Sequence, residues 1–450
     1  MSSVSILLLF LVCIIFEYLS DYLLNHQQTV SLETNKEARI STLCALYFAQ
    51  GFPWGFMTIA LAAYLNAKGI SLAETGQLLA MAILPWTFKL LWAPFIDSFN
   101  YPAMGRRRPW IIFAQLMMAI TLISMAISDD LITNLTYLSW MFFLHNCFAS
   151  LQDVCTDALA VDILLPEERG KVNGFMWGSK TIGIGVGGAV MATLLANTSI
   201  NFTVIFQTGL ILLVMLFPLL IRERIGEKLL PWTEGKSMLK TSVDSIRNPI
   251  QVVKDIFKGF SLKTTFFVGI FLLCASIGDG INSTKILNFY TQTLGWSDVS
   301  YSQVSGGIGT IFEFFGAILG GFLADRIGRK KTIMMGFGGF GIIAIIFGFF
   351  LPDYSSSDNF LSAYLFLPPF FRALGLVAVF SLCMNISWTN SAATMFTCYM
   401  AISNISTTIG TKIAAPIDSI VSCPNHLFIV VGIVAIIPLL IISFIFLDTN

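Results

Sequence analysis

Gly321-Phe322-Leu323-Ala324-Asp325-Arg326-Ile327-Gly328-Arg329-Lys330-Lys331 is a short charged run set between two long apolar segments. A weaker copy stands at the corresponding place in the first half of the chain. There Asp97 is followed by Gly105-Arg106-Arg107-Arg108, again between apolar segments. The same charged loop in both halves reads as a duplication. Only 12% of the 450 residues are charged and 56% are hydrophobic, whereas a soluble domain carries about 25% charged residues. So few charges cannot cover a water-facing surface, and the chain is expected to be an all-α polytopic membrane protein with the lipid bilayer as its surroundings.

A helix needs about 20 apolar residues to cross the hydrocarbon. Twelve windows meet that need, near 41–65, 73–96, 109–128, 135–160, 171–196, 202–221, 264–287, 300–324, 332–351, 361–385, 391–415 and 426–447. The polar stretch from Arg222 to Lys263 separates them six and six. It holds Pro231, Gly235, Asn248 and Pro249, so it reads as a linker with one amphipathic helix near 250–258. The expected organisation is an N-terminal apolar segment (1–36), a six-helix bundle (37–222), a cytoplasmic linker (223–262) and a second six-helix bundle (263–450). Val4 to Phe16 is apolar and is followed by Glu17 and Asp21, with no basic stretch before it and no small-residue cleavage site. A signal peptide is therefore not expected. A thirteenth span, a surface-lying helix and a start read too early all remain open for it.

Basic residues set the orientation. With both ends of the twelve-span unit facing the cytoplasm, most of the 26 lysines and arginines fall inside. They are Lys36 and Arg39, Arg106 to Arg108, Arg169 and Lys171, the bases from Arg222 to Lys263, and those from Arg326 to Lys331. The outer loops hold acids such as Asp129, Asp130, Asp298, Asp353 and Asp358. This is a positive-inside asymmetry.

Three motifs in the first half point to a family. The first span carries Tyr47-Phe-Ala-Gln50-Gly-Phe-Pro53-Trp54-Gly55, and the second carries Phe88-Lys89-Leu-Leu-Trp92-Ala-Pro94-Phe-Ile-Asp97. The fourth carries Gln152-Asp153-Val-Cys-Thr-Asp157-Ala158, then Asp162 and Glu167-Glu168-Arg169-Gly170. Together these resemble the muropeptide permease (AmpG-like) and acetyl-CoA transporter families of the major facilitator superfamily. The resemblance runs from about 40 to 447, is tightest from 44 to 190, and returns at Ile402 to Ile405, Gly410 and Pro416 to Asp418. The loop Asn385 to Ser391 departs from it, lacking the basic residues such permeases often have there. The resemblance implies two pseudo-symmetric six-helix bundles, alternating access, and a monomer in a bacterial inner membrane. It implies import of a small polar solute, anhydromuropeptides first, with a siderophore or acetyl-CoA as alternatives. A non-transporting membrane sensor with the same fold is the alternative of another class.

Ionisable residues inside spans are the candidates for function, because a charge at mid-bilayer costs roughly 2.5–3.5 kcal/mol and faces a cavity or a partner. Asp153 and Asp157 are four apart on one helix face. Two such carboxylates repel, as a proton-carrying site requires; a structural ion pair with Lys180 or Lys89 is the plainer reading. In the fold implied by the resemblance, Glu313 on span eight and Arg372 on span ten pair as a proton switch, an anion contact or a fixed link. Asp279, Asn282 and Lys285 lie in the outer half of span seven, where glycines bracket Asp279 and predict a helix break. A matching break is expected in span one at Gln50-Gly51-Phe52-Pro53, next to Trp54; an ordinary proline kink explains it equally.

Glycines Gly183 and Gly187 on span five, and Gly316 and Gly320 on span eight, are small-xxx-small pairs. They are expected to give smooth faces on which the halves rock, or simply tight packing. Asp97 with Arg106, Arg107 and Arg108, and Asp325 with Arg326 and Arg329, are expected to form a cytoplasmic gate through charge-assisted hydrogen bonds. Enzyme chemistry is not expected. The three histidines (His26, His145, His426) are scattered, and the eight cysteines show no metal spacing. The glycine run from Gly336 to Gly341 sits inside span nine with no strand before it. No cofactor, metal or nucleic acid is called for; the expected partners are solute and protons.

Overall fold

The computed structural model describes residues 31–99, 101–128, 131–235, 249–297, 300–301, 303–387, 391–421, 423–442 and 444. The N-terminal segment through residue 30, linker residues 236–248, and Asp129, Asp130 and Asp298 lie outside the described residues. The described residues are mostly helical, joined by turns and irregular loops, with one isolated bridge among them, Ser31 to Arg222.

Among the described residues, twelve principal helices carry the fold. The first six are α1 (Lys36–Gly55), α2 (Leu72–Thr87), α3 (Arg108–Ala126), α4 (Leu135–Ile163), α5 (Arg169–Asn197) and α6 (Ile200–Leu220). The others are α7 (Lys263–Ala275, resuming as Ile277–Asn288), α8 (Thr310–Arg326), α9 (Arg329–Tyr354), α10 (Asp358–Ile386), α11 (Ala392–Ile420) and α12 (Pro424–Ile436). Several of their starts follow from short polar side chains that satisfy free N–H groups of the first turn. Asn35 accepts from Ala38, Asn134 from Tyr137 and Ser199 from Phe202, and Ser71 and Glu74 form a capping box. The amphipathic linker helix runs Pro249–Phe260. Nine helical stretches among the described residues are long and apolar enough to cross a membrane. α1, α4 and α11 are not among them; α4 is less apolar because it carries polar residues such as Gln152, Asp153, Thr156 and Asp157, all buried.

The chain divides into two compact units. One comprises Met1–Leu164 with Ile182–Pro249, the other Leu165–Thr181 with Ile250–Asn450, so the boundary falls within α5. Inside each unit the same packing scheme recurs six helices apart. α2 packs on α4, as α8 does on α10. α3 packs on α4 and α6, as α9 does on α10 and α12. α1 packs on α6, as the second segment of α7 does on α12. The duplication legible in the charged loops is therefore also a duplication of helix contacts.

Three helix breaks differ from expectation. Gln50 to Pro53 stays α-helical, and the irregularity in span one is a π turn at Phe56–Leu61, just after Pro53. Proline has no N–H to give its own turn, and the wider turn follows on its C-terminal side. In span seven the break falls at Ser276, so Asp279 sits in the first turn of the resumed helix. The third break, unforeseen, follows α2, where Phe88 leaves helical geometry and Lys89–Leu91 form a 3₁₀ turn before Trp92–Ser98.

The glycine pairs serve the second of the two roles expected of them, tight packing. Gly183 and Gly187 lie against the α1 backbone at Phe48 and Phe52, and Gly316 and Gly320 against α10 at Phe370 and Leu374. A methyl group at any of them would strike main chain, so they hold helix pairs within a unit at close range. The close approach of α5 to α8 is made instead by Gly170 and Gly174 against Gly321 and Ala317, all inside the second unit.

Candidate functional site

In the first unit, the 3₁₀ turn after α2 aims Lys89 inward. Its Nζ lies 2.9 Å from Asp153 Oδ2, and both side chains are sealed from solvent. One turn along α4, Asp157 Oδ1 accepts a hydrogen bond from the Tyr47 hydroxyl of α1. Asp153 is an ion pair with Lys89, one of the two partners the spacing allowed, and Asp157 is held by a phenol. Gln152 Nε2 donates to the Leu46 carbonyl at 3.0 Å and draws α4 against α1. Gln50 is buried, and among the described residues neither of its amide atoms has a hydrogen-bond partner. Trp54 meets Trp86 edge to face at 5.8 Å. Lys180, in the second unit, lies over the Trp177 ring.

In the second unit, Arg372 of α10 donates from Nη2 to Glu313 Oε1 of α8 at 2.7 Å. Its Nε stands 3.7 Å from Asp279 Oδ1 on the resumed α7. One guanidinium thus joins three helices and meets two carboxylates. The pair with Glu313 matches expectation; Asp279 as a third member does not follow from spacing. The three side chains are 26–30% exposed, against 2–5% for Lys89 and Asp153. Charged groups on bilayer-crossing helices face a partner or a polar space rather than lipid. Asn282 Oδ1, on the same resumed helix as Asp279, accepts from Tyr364 Oη at 2.9 Å.

The two charged loops are built differently. In the first unit, Arg107 Nη2 reaches Asp97 at 2.8 Å and its Nε reaches Asp162 at 2.8 Å. Arg106 stands 3.5 Å from Asp97 and 3.7 Å from Asp162, completing a buried box of two arginines and two aspartates. Burial works against the Arg107 charge, but Asp162 and Asp97 outweigh it and hold the group above its ordinary range. Arg108 does not join the box. Its guanidinium binds the carbonyls of Met104, Pro218, Leu219, Lys228 and Leu229, tying the end of α6 and the linker to the loop. In the second unit, Asp325 accepts from the backbone N–H groups of Gly170 (2.9 Å) and Lys171 (2.6 Å), at the start of α5. An anion there faces the positive end of the helix dipole. Arg329 bonds Ser381 Oγ and the Pro166 carbonyl, whereas Arg326 is exposed.

Two contributors escaped sequence reasoning. Glu223, just past α6, accepts from the backbone N–H groups of Arg106, Arg107 and Arg108 and so caps α3 from a distance. Tyr47 was visible only as a motif letter. A lone acid among bases was the single available signal for Glu223, and nothing in the sequence separates it from a solvated one.

A family model for the Major Facilitator Superfamily matches residues 43–411 and 268–450. The anhydromuropeptide permease of Escherichia coli K12 is 24% identical over 377 residues, covering 82% of this chain and 72% of that protein. A transporter named AmpG 4 from Rickettsia conorii is 25% identical over 309 residues, covering 67% and 71%. Among solved structures, the human organic anion transporter MFSD10 superposes with a TM-score of 0.67 at 12% identity, covering 90% of this chain and 99% of that one. The last likeness is one of fold.

Proposed function

This chain belongs to the Major Facilitator Superfamily and is a multi-pass secondary transporter, not an enzyme, and from that premise we propose that it imports an anhydromuropeptide-like solute by proton-coupled alternating access. The observation that carries the proposal is the half-open triad of Arg372, Glu313 and Asp279. Two carboxylates share one cation, so the cluster holds one negative charge in excess. A proton arriving on Glu313 removes that excess and frees Nη2 of Arg372, whose planar fork suits a carboxylate of the incoming solute. Loss of the proton returns Arg372 to Glu313 and expels the bound anion. Asp157, hydrogen-bonded to Tyr47, is the second carboxylate suited to carry a proton. We further propose that the buried Asp97 box and the Asp325 contact with α5 act as cytoplasmic gate elements, and that the membrane is a bacterial inner one.

The test uses purified protein in liposomes with an internal pH dye and anhydromuropeptide added outside. Wild type is expected to acidify the lumen only when solute is present. Glu313→Gln is expected to keep solute exchange but lose acidification, and Arg372→Gln to lose both. Loss of acidification in Asp157→Asn but not in Glu313→Gln moves the coupling carboxylate to α4. Uptake without acidification removes proton coupling. Neither uptake nor acidification removes this solute and turns the search to siderophores and acetyl-CoA.

A further inference from the structure

The linker helix Pro249–Phe260 has two unlike faces. Gly259 is buried, and the Phe260 ring packs on Tyr399 at 5.2 Å and against Gly269, which seats the helix on the second unit. The opposite row, Lys254, Phe257, Lys258 and Ser261, follows helical spacing and is exposed throughout, with Phe257 73% exposed. A phenyl ring flanked by two ammonium groups is poorly suited to bulk water. It is well suited to the level of a bilayer where acyl chains meet headgroups.

Position supports this. Only Ser261 and Leu262 separate the helix from α7, which starts at Lys263 and crosses the membrane. The helix therefore lies at the depth where α7 enters the bilayer. Exposed apolar residues recur beyond Phe257 at Leu262 (49%), and on α7 at Phe266 (53%) and Leu273 (40%). Two lysines against one acid, Asp255, with Lys263 at the next helix start, give the segment positive charge. Each base near an anionic leaflet adds attraction that vanishes on a neutral one.

We propose that the Lys254–Phe257–Lys258 face is a docking surface for anionic phospholipid headgroups, which fastens the linker helix to the membrane surface. Hydrogen exchange of the segment 250–262 in the full-length protein, in nanodiscs of phosphatidylglycerol or of phosphatidylcholine, tests it. Exchange is expected to be roughly tenfold slower or more in the anionic lipid, and the gap is expected to close as salt rises. Lys254→Gln with Lys258→Gln is expected to abolish the difference between lipids while exchange in α8 to α10 stays unchanged. Equal protection in both lipids overturns the proposal, since a second copy or a soluble partner covering Phe257 does not depend on headgroup charge. A lipid difference that survives the double substitution overturns it too.

Discussion

Glu223 and Glu227 lie one helical turn apart in sequence and have opposite surroundings. Glu223 receives three backbone N–H groups from the Arg106 to Arg108 stretch. Glu227 is buried, receives the Arg224 N–H at 3.1 Å, and has the Arg224 guanidinium no nearer than 3.9 Å. Burial, and then the Glu223 charge, push Glu227 up to about 7. A carboxyl that is raised in the folded state binds more protons folded than unfolded between its two pKa values. Its contribution to stability is then largest at low pH and is lost as pH rises from the ordinary carboxylate range through about 7. Wild type is expected to lose on the order of 2 kcal/mol relative to Glu227→Gln across that window. Thermal unfolding of both proteins in one detergent from pH 5 to pH 8 measures it, and parallel curves would refute it.

Helices in this chain begin where a loop can supply an acceptor or a turn, and the two charged loops show it side by side. Gly105 and Gly328 precede α3 and α9 with φ of 102° and 97°, a region that favours glycine. The duplicated loop thus keeps its turn residue as well as its charges. Their surroundings differ. A methyl group on Gly105 would collide with the Glu223 carboxylate, while Gly328 has open space around it. Gly328→Ala is expected to cost only the backbone strain, about 1 kcal/mol. Gly105→Ala adds displacement of the α3 cap and is expected to cost roughly 2–3 kcal/mol in total. Their melting temperatures in detergent rank the two, and equal losses would mean that Glu223 yields freely.

At the scale of the whole molecule, two ion-paired clusters inside the membrane differ in exposure. Lys89 and Asp153 are sealed and paired at 2.9 Å, whereas Arg372, Glu313 and Asp279 stand half-open. Removing one partner of a sealed pair leaves a bare charge and is expected to cost about 3–5 kcal/mol, while removing both recovers most of it. Lys89→Gln and Asp153→Asn alone are therefore expected to melt early, and the double variant to melt near wild type. Singles that melt like wild type would mean that water reaches the pair and that it belongs with the active charges. Glu313→Gln should leave the melting temperature nearly unchanged, because solvent already reaches its carboxylate.

By itself the sequence determined the all-α membrane architecture, the duplication and the family. These follow from composition, from apolar runs of bilayer length and from charged loops between them, all local along the chain. It also singled out Lys89, Asp153, Asp157, Glu313 and Arg372, since a charge inside an apolar run stands out wherever it is. The tertiary structure alone decided the partnerships: Tyr47 on Asp157, Asp279 on Arg372, Asp162 on Arg107, and Glu223 on the start of α3. It also turned Arg108 from the expected gate toward main-chain carbonyls and showed which glycines face which helix. Helix periodicity says which residues share a face. Which helix that face meets, and at what depth, depends on how helices far apart in the chain rotate and slide against one another, and no spacing within one segment encodes that.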